Sequence, residues 1–234
     1  MRRLGLTMRV VWAEGYAEPR DALAWDWARF LGEAIPDCIW MPLPNVGGGV
    51  IDHVRNWGLD ALILTGGNDL GEVALRDETE QALVSLAIRE SLPLLGVCRG
   101  LQLIQAHFGG VIRSCPRESH VGTRHAILCG QTSASPGERV VNSYHAFGVR
   151  AEDLAPELAV AAVSEDGWAE AFVHRSAPLA AVQWHPERTP VADPEDVSLL
   201  RGLLGLPTVV PGANPVADEA EITSGHKATL PCVH

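Results

Sequence analysis

Short apolar runs alternate with amphipathic stretches along the first half of the chain. The runs at 4–11, 61–65 and 93–97 are almost continuously apolar, which is typical of strands covered on both faces. Between them, apolar residues recur every three or four positions after Asp21 and again over 78–91, which predicts one helix in each place. Successive strand and helix units predict a parallel sheet with helices on both of its faces.

Several local features refine this pattern. Residues 14–20 are polar and include Gly15 and Pro19, so they are predicted to form a loop that leads directly into the first helix. Trp25 lies off the apolar stripe of that helix and is expected to be exposed. A short second strand is predicted at 38–41, before a loop rich in proline and glycine.

The pattern changes after the glycine pair at 109–110. Short strand-like segments then follow one another, separated by turn residues, which favours an antiparallel extension of the parallel sheet. These segments are 111–113, 125–128, 140–142, 158–163, 169–174 and 179–183. A last helix is predicted at 196–204. Beyond it, prolines and glycines interrupt every period, so we expect one domain over 1–206 and a flexible tail over 207–234.

Composition excludes several classes of partner. The net charge is −11 and no block of basic residues occurs, which argues against nucleic acid. No apolar run approaches the roughly 18 residues of a membrane helix. Five cysteines without C-x-x-C spacing indicate neither a disulfide framework nor a zinc site, so a reducing, cytoplasmic setting is expected. His120 and His125 are five residues apart without an evident carboxylate cluster, so no metal is expected either.

The stretch Gly96-Val97-Cys98-Arg99-Gly100 joins a strand to a helical pattern. Small residues two positions on either side of a nucleophile allow a sharp turn that exposes its side chain. A helix N-terminus also favours a thiolate, and the neighbouring arginine acts in the same direction. Cys98 is therefore a candidate nucleophile. The alternative is a buried cysteine that only packs at the end of a strand.

His185 ends a later apolar run and is followed by Pro186 and Glu187. A thiol nucleophile needs a base, and the base needs a third group that fixes its orientation. The spacing allows Glu187 to reach one imidazole nitrogen while the other faces Cys98. The alternative for His185 alone is a histidine hydrogen-bonded to the backbone at a strand end.

Four motifs in this order resemble the class I glutamine amidotransferase superfamily, and within it the γ-glutamyl hydrolase branch of the peptidase C26 type. They are Thr65-Gly66-Gly67, 96–102, 142–145 and 184–187, and the resemblance extends over about residues 4 to 205. It implies an α/β fold, a flavodoxin-like three-layer αβα sandwich whose mostly parallel sheet has an antiparallel extension.

The resemblance also implies a chemistry. Cys98 would attack a γ-glutamyl amide of a small molecule and form a thioester, which water activated by His185 would hydrolyse to glutamate, with Glu187 as the third member of the triad. Backbone N–H groups of Gly67 and Arg99 would form the oxyanion hole. Gln102, with backbone groups around Ser143 and Tyr144, would hold the glutamyl group, and His145 is a further substrate-binding candidate. The alternatives are a polar group on a helix face for Gln102 and ordinary strand-end residues for the others. No cofactor is implied.

Two features resemble the hydrolase branch. Arg99 directly follows the cysteine, and no synthetase domain is fused. The segments 66–70, 142–148, 164–172 and 185–188 resemble γ-glutamyl-CDP-amidate hydrolases, while γ-glutamyl-GABA is an alternative substrate. A nucleotide-linked substrate would need cations, for which Arg76, Arg99 and Arg188 are candidates, and the alternative for each of them is a solvated surface charge. A second hypothesis is a glutaminase subunit that supplies ammonia to a separate synthetase, and a third is a binding module that has lost activity. A synthetase or a second copy of the chain (a homodimer) stays open as a protein partner.

Overall fold

The computed structural model describes residues 1–130 and 137–207. The strands are β1 (Arg3–Thr7), β2 (Arg9–Trp12), β3 (Pro19–Ala22), β4 (Ile39–Leu43), β5 (Ala61–Leu64), β6 (Leu94–Val97), β7 (Arg113–Ser114), β8 (Val121–Cys129), β9 (Gly137–Tyr144), β10 (Phe147–Gly148), β11 (Leu158–Ser164), β12 (Ala169–His174) and β13 (Leu179–Val182). The helices are α1 (Trp25–Ala34), α2 (Val50–Asn56), α3 (Ala74–Glu90), α4 (Arg99–His107), α5 (Arg117–His120) and α6 (Pro194–Leu203).

A nine-stranded sheet forms the centre of the molecule, in the order β4-β1-β5-β6-β13-β12-β11-β8-β9. The first five strands in this order are parallel, and β12, β11, β8 and β9 extend the sheet in antiparallel fashion. The predicted parallel sheet with an antiparallel extension is therefore confirmed. The last predicted strand was grouped with the antiparallel segments, which is wrong, because β13 pairs in parallel with β6.

Helices cover the parallel part on both faces. On one face, Trp27 and Phe30 of α1 and Leu200 of α6 pack into one buried apolar cluster. On the other face, Leu83 of α3 and Leu101 of α4 belong to a second cluster. Because both faces of β5 and β6 are covered, every residue of these two strands is buried, which explains their unbroken apolar runs.

The N-terminal segment departs from the prediction. The expected single strand over 4–11 is divided into β1, which lies in the main sheet, and β2, which forms a separate hairpin with β3. The expected loop over 14–20 therefore ends in a strand, and α1 begins at Trp25 rather than at Asp21. Trp25 is 94% exposed, as predicted.

Other boundaries moved by a few residues. The helix predicted from Glu78 begins at Ala74, and the strands predicted at 125–128 and 140–142 are longer, since they pair with each other as β8 and β9. The predicted tail lies, apart from residue 207, outside the described residues. Within the two described ranges, no helix has the length and apolar character needed to cross a bilayer.

Candidate active site

Cys98 occupies a sharp turn between β6 and α4. Its backbone has φ 53° and ψ −103°, a region that costs a non-glycine residue about 1 to 3 kcal/mol. Glycine is needed on both sides: a Cβ on Gly96 would lie 2.8 Å from the carbonyl carbon of Gly100, and a Cβ on Gly100 would lie 2.5 Å from the carbonyl oxygen of Leu64. Two glycines therefore let the strand, the turn and the helix approach one another around a strained cysteine.

His185 follows β13, the strand beside β6, so the sheet brings it next to Cys98. Both side chains flank Gly66, since a Cβ on that glycine would lie 2.7 Å from Cε1 of His185 and 3.5 Å from Cβ of Cys98. Asn142 holds the backbone of His185 in place: its Oδ1 accepts from the His185 N–H at 2.9 Å and its Nδ2 donates to the His185 carbonyl at 2.8 Å. Asn142 was part of a recognised motif, but its positioning contact was not predicted.

Glu187 orients the imidazole. Its Oε1 lies 2.7 Å from Nδ1 of His185, and both residues are buried. Burial by itself lowers the pKa of His185, but the charge of Cys98 and the hydrogen bonds with Cys98 and Glu187 outweigh it and raise this pKa to about 9. These contacts favour the protonated imidazole beside the sulfur of Cys98.

The glycine turn after β5 is held from behind by Arg76. This guanidinium donates to the carbonyls of Thr65 at 2.8 Å and Gly66 at 3.0 Å, and it also contacts the carbonyl of Gly67. A trans peptide directs its N–H opposite to its C=O, and the described residues contain no cis peptide. Since the Gly66 carbonyl points to Arg76, the N–H of Gly67 points away from it.

Arg76 and Arg99 belong to one buried ionic network. Nε of Arg76 lies 3.1 Å from Oε1 of Glu80, whose other oxygen contacts the guanidinium of Arg99, and Arg99 also contacts Asp77. Arg76 and Arg99 were candidate cations for a nucleotide-linked substrate. Both side chains are buried and bonded to carboxylates or backbone carbonyls, which disfavours that role, and it stays a prediction.

A pocket of about 230 Å³ opens above Cys98. Its lining includes Gly67, Cys98, Arg99 and His185, so the candidate nucleophile, base and oxyanion residues share one cavity. The cavity lies beyond the carboxyl ends of the parallel strands β5, β6 and β13, where ligands bind in open α/β sheets.

The four predicted substrate residues are placed differently from one another. Gln102 lines the pocket and donates to the carbonyl of Phe147 at 2.8 Å, and Tyr144 lines it with 46% of its surface exposed. His145 also lines the pocket, but its ring is buried. Ser143 is not among the lining residues, because its buried hydroxyl donates to the carbonyl of His120 at 2.7 Å. Their roles stay predictions.

Two exposed arginines contribute positive charge to the pocket. Arg188 follows Glu187, and its guanidinium lies 4.5 Å from the ring centroid of Tyr144. Arg117 lies in α5, and sequence reasoning missed it. No local signal marks Arg117, since only the pairing of distant strands brings α5 to the pocket.

The expectation that His120 and His125 lack a nearby carboxylate is also wrong. Oε1 of Glu170 lies 3.9 Å from Nδ1 of His120 and 3.4 Å from Nε2 of His125. The spacing of five residues excluded a helical pair. It did not exclude a turn from α5 into β8 that brings both rings to β12.

Comparisons with known proteins agree with this fold and indicate a family. The Peptidase C26 family model matches residues 52–187. A γ-glutamyl-CDP-amidate hydrolase from Campylobacter jejuni is 30% identical over 194 residues, which are 79% of this chain and 90% of that protein. An anthranilate synthase from Azospirillum brasilense is 40% identical over 106 residues, which are 44% of this chain but 14% of that protein.

A solved structure supports the fold assignment independently. The glutaminase domain of Trypanosoma brucei CTPS, which carries bound acivicin, superposes with a TM-score of 0.68 at 17% identity and covers 90% of this chain and 97% of that one. The predicted class I glutamine amidotransferase fold is thus confirmed. The family match covers more than half of the residues, so the chain belongs to the Peptidase C26 family of glutamine amidotransferase-like hydrolases.

Proposed function

We propose that this chain is a cysteine-dependent hydrolase that cleaves the γ-glutamyl amide bond of a small molecule and releases glutamate. The observation that carries the proposal is the strained turn that presents Cys98 beside the buried His185–Glu187 pair in an open pocket. We assign the catalytic unit to residues 1–206, in keeping with a last helix that ends at Leu203. A reducing, cytoplasmic setting would suit a free thiol nucleophile.

The reaction begins from a thiolate and an imidazolium. The raised pKa of His185 supports this state at neutral pH, and the N-terminus of α4 favours negative charge on the sulfur of Cys98. The sulfur attacks the γ-carbonyl carbon and displaces the amine, which takes the proton of His185 as it leaves. His185, now neutral, then removes a proton from water, whose oxygen attacks the thioester. Glutamate leaves, and the thiolate and imidazolium are restored.

The oxyanion would be bound by the backbone N–H groups of Gly67 and Arg99. The direction of the Gly66 carbonyl toward Arg76 supports this role, because it turns the N–H of Gly67 the other way. Arg99 opens α4, where N–H groups have no helical partner. Each such donor is typically worth about 10² to 10³ in rate.

Cys115 forms a second arrangement of cysteine, histidine and carboxylate, but it suits catalysis poorly. Its sulfur lies 3.6 Å from Nδ1 of His145, whose Nε2 faces Glu170 at 3.6 Å. Burial, with nearby negative charge, raises the pKa of the Cys115 thiol to about 12, and Cys115 does not line the pocket. A protonated, enclosed thiol is a poor nucleophile, which favours Cys98.

Two exposed arginines of the pocket favour a substrate with an anionic leaving group, although the carboxylate of Asp69 also lines the pocket. Arg117 and Arg188 are exposed at its wall, although the whole chain carries a net charge of −11. Tyr144 adds an aromatic surface beside Arg188. The two arginines suit a phosphate group and the tyrosine ring suits a nucleobase, which agrees with the name of the relative from Campylobacter jejuni. We therefore place a γ-glutamyl amide of a nucleotide before one of a small amino acid such as γ-glutamyl-GABA.

A glutaminase subunit is the second candidate function. The match to part of an anthranilate synthase and the fold of the CTPS glutaminase domain favour it. In that case glutamine itself would be the substrate, and a synthetase partner would raise a low basal turnover.

A substrate panel separates these functions. The purified chain is incubated with glutamine, γ-glutamyl-GABA and a γ-glutamyl amide of a cytidine nucleotide, and the glutamate and the amine released are measured. We expect the nucleotide-linked amide to give the highest kcat/KM. A γ-glutamyl chloroketone should label Cys98 and spare Cys115, as read by peptide mass spectrometry. Failure to hydrolyse any of the three amides, together with unlabelled Cys98, would refute the proposal, whereas turnover of glutamine alone would favour the glutaminase.

Substitution of Gly66 by alanine tests the contact between nucleophile and base. The added methyl would lie 2.7 Å from Cε1 of His185, and this ring cannot retreat easily because Glu187 and Asn142 fix it. Displacement of a catalytic group by about 1 Å costs about 10² in rate, so we expect kcat/KM to fall by about that factor.

The control for this substitution is Gly48→Ala. No atom lies within 4 Å of a Cβ at Gly48, and its backbone is not in the left-handed region. We expect this variant to keep the activity of the original chain. Far-UV circular dichroism and the midpoint of urea unfolding should show that both variants are folded. Equal kcat/KM for the Gly66 and Gly48 variants would contradict the placement of His185 beside Cys98.

A further inference from the structure

Two buried imidazoles, His120 and His145, and the partly exposed His125 surround Glu170 on β12, next to the pocket but outside the proposed triad. Oε1 of this carboxylate lies 3.4 Å from Nε2 of His125, 3.6 Å from Nε2 of His145 and 3.9 Å from Nδ1 of His120. None of these three nitrogens forms a hydrogen bond, and neither oxygen of Glu170 does. The facing polar atoms of these four side chains are therefore buried without hydrogen bonds. Such atoms cost free energy of folding unless a further group binds them.

The opposite nitrogen of each ring is already held by an acceptor. Nε2 of His120 lies 2.9 Å from Asp166 Oδ2, Nδ1 of His145 lies 3.0 Å from the carbonyl of Phe147, and Nδ1 of His125 lies 3.4 Å from the carbonyl of Ser119. Metal-binding histidines are oriented in this way, because the acceptor fixes the proton on the outer nitrogen and leaves the inner one free to coordinate.

The distances suit a small divalent ion. Zinc binds imidazole nitrogen and carboxylate oxygen at about 2.0 to 2.2 Å, so neighbouring ligands of a tetrahedral site are about 3.3 to 3.6 Å apart. The three separations from Glu170 Oε1 lie at or slightly above this range, at 3.4, 3.6 and 3.9 Å. Among the described residues, ligand atoms of His120, His125 and Glu170 all lie within 4.8 Å of one another, and His145 is outside this group.

We propose that His120, His125 and Glu170 bind one zinc ion or a similar divalent transition metal, whose fourth position is left to water or to His145. The three ligands come from α5, β8 and β12. Arg117, which lines the pocket, is also in α5, so the ion would fix that part of the pocket wall.

Zinc titration of the full chain tests this site. The protein is stripped with a chelator, dialysed, and titrated with ZnCl₂ while heat and unfolding temperature are followed. We expect binding of one ion that the Glu170→Gln and His125→Asn variants lose, with at least a tenfold rise in Kd. A hundredfold excess of zinc over Kd should raise Tm by about 5 to 10 °C. The Cys98→Ala variant should bind zinc normally, so this result does not depend on the proposed hydrolase activity.

Two further measurements guard against misleading outcomes. The His53→Asn control changes a histidine on α2, far from the cluster in sequence, and should bind zinc normally. Cobalt(II) added to the unaltered chain should give the visible bands of tetrahedral nitrogen and oxygen coordination, which needs no variant to fold. Unchanged zinc affinity in both ligand variants, or the absence of these bands, would overturn the proposal.

Discussion

Replacement of Cys98 by alanine or of His185 by glutamine is expected to lower kcat/KM for the preferred γ-glutamyl amide by about 10³ to 10⁴. Without the sulfur no thioester forms, and without the imidazole neither the leaving amine nor the attacking water exchanges a proton. The two residues act as one unit, so the double variant should be no slower than either single one. Initial rates of glutamate release measure all three variants.

The pH profile adds a readout that a structural role of His185 would not produce. Because the pKa of His185 is raised to about 9, its proton is present at neutral pH and is lost as the pH rises through about 9. We expect kcat/KM of the original chain to fall over that range. Glu187→Gln removes a hydrogen bond that raises this pKa and should move the fall to lower pH.

Cys38→Ala and His53→Asn are the matched controls, since they change the same residue types outside the pocket. Both should keep the original rate and pH profile. Full activity of the Cys98→Ala variant, or two single effects that multiply in the double variant, would show that these residues do not form one catalytic unit.

The parallel half of the fold could be predicted from the sequence because its signals are local. The strands β5 and β6 are buried on both faces, so their apolar runs are unbroken and bounded by glycine or proline. The turn at Cys98 was predicted for a similar reason. Its two glycines are required, because a Cβ at Gly96 or Gly100 would lie only 2.8 or 2.5 Å from a backbone atom.

The rest depended on pairings between distant segments. Nothing in the residues of β13 distinguishes a parallel from an antiparallel neighbour, since all four are buried apolar residues. The hairpin of β2 and β3 was missed because β2 continues the apolar run of β1 directly. The contact between His120 and Glu170 was missed for the same reason. The two residues are 50 positions apart, and only the order of strands brings them together.

The site residues also divide into those with a local sequence signal and those placed by distant segments. Cys98, His185 and Glu187 could be proposed because each stands in a short motif with its own chemical logic. The fate of Arg99 could not be predicted, because its carboxylate partners lie about twenty residues earlier, on α3. This arginine was a candidate either for substrate binding or for a solvated surface charge, and its buried side chain connects the nucleophile turn to the glycine turn through Glu80 and Arg76.

Glu80→Gln is expected to lower the free energy of unfolding by about 3 to 5 kcal/mol at neutral pH. The side chain of Glu80 is fully buried and bridges Arg76 and Arg99. Burial lowers the pKa of these guanidinium groups to about 10 and about 9, so both stay charged at pH 7. Removal of the Glu80 charge would leave the guanidinium groups of Arg76 and Arg99 buried without this partner. Asp77, a neighbouring carboxylate that is only partly buried, would replace it poorly.

The Glu80→Gln substitution should lower the catalytic rate as well as the stability. Arg76 holds the carbonyls of the glycine turn and Arg99 opens the helix that carries the nucleophile, so a disturbed bridge would misplace both proposed oxyanion donors. We therefore expect lower kcat even well below the unfolding temperature. Glu78→Gln, an exposed position on the same helix, should change the free energy of unfolding by less than about 0.5 kcal/mol. Urea unfolding curves compare the two, and equal midpoints would mean that the buried bridge contributes no more than a surface charge.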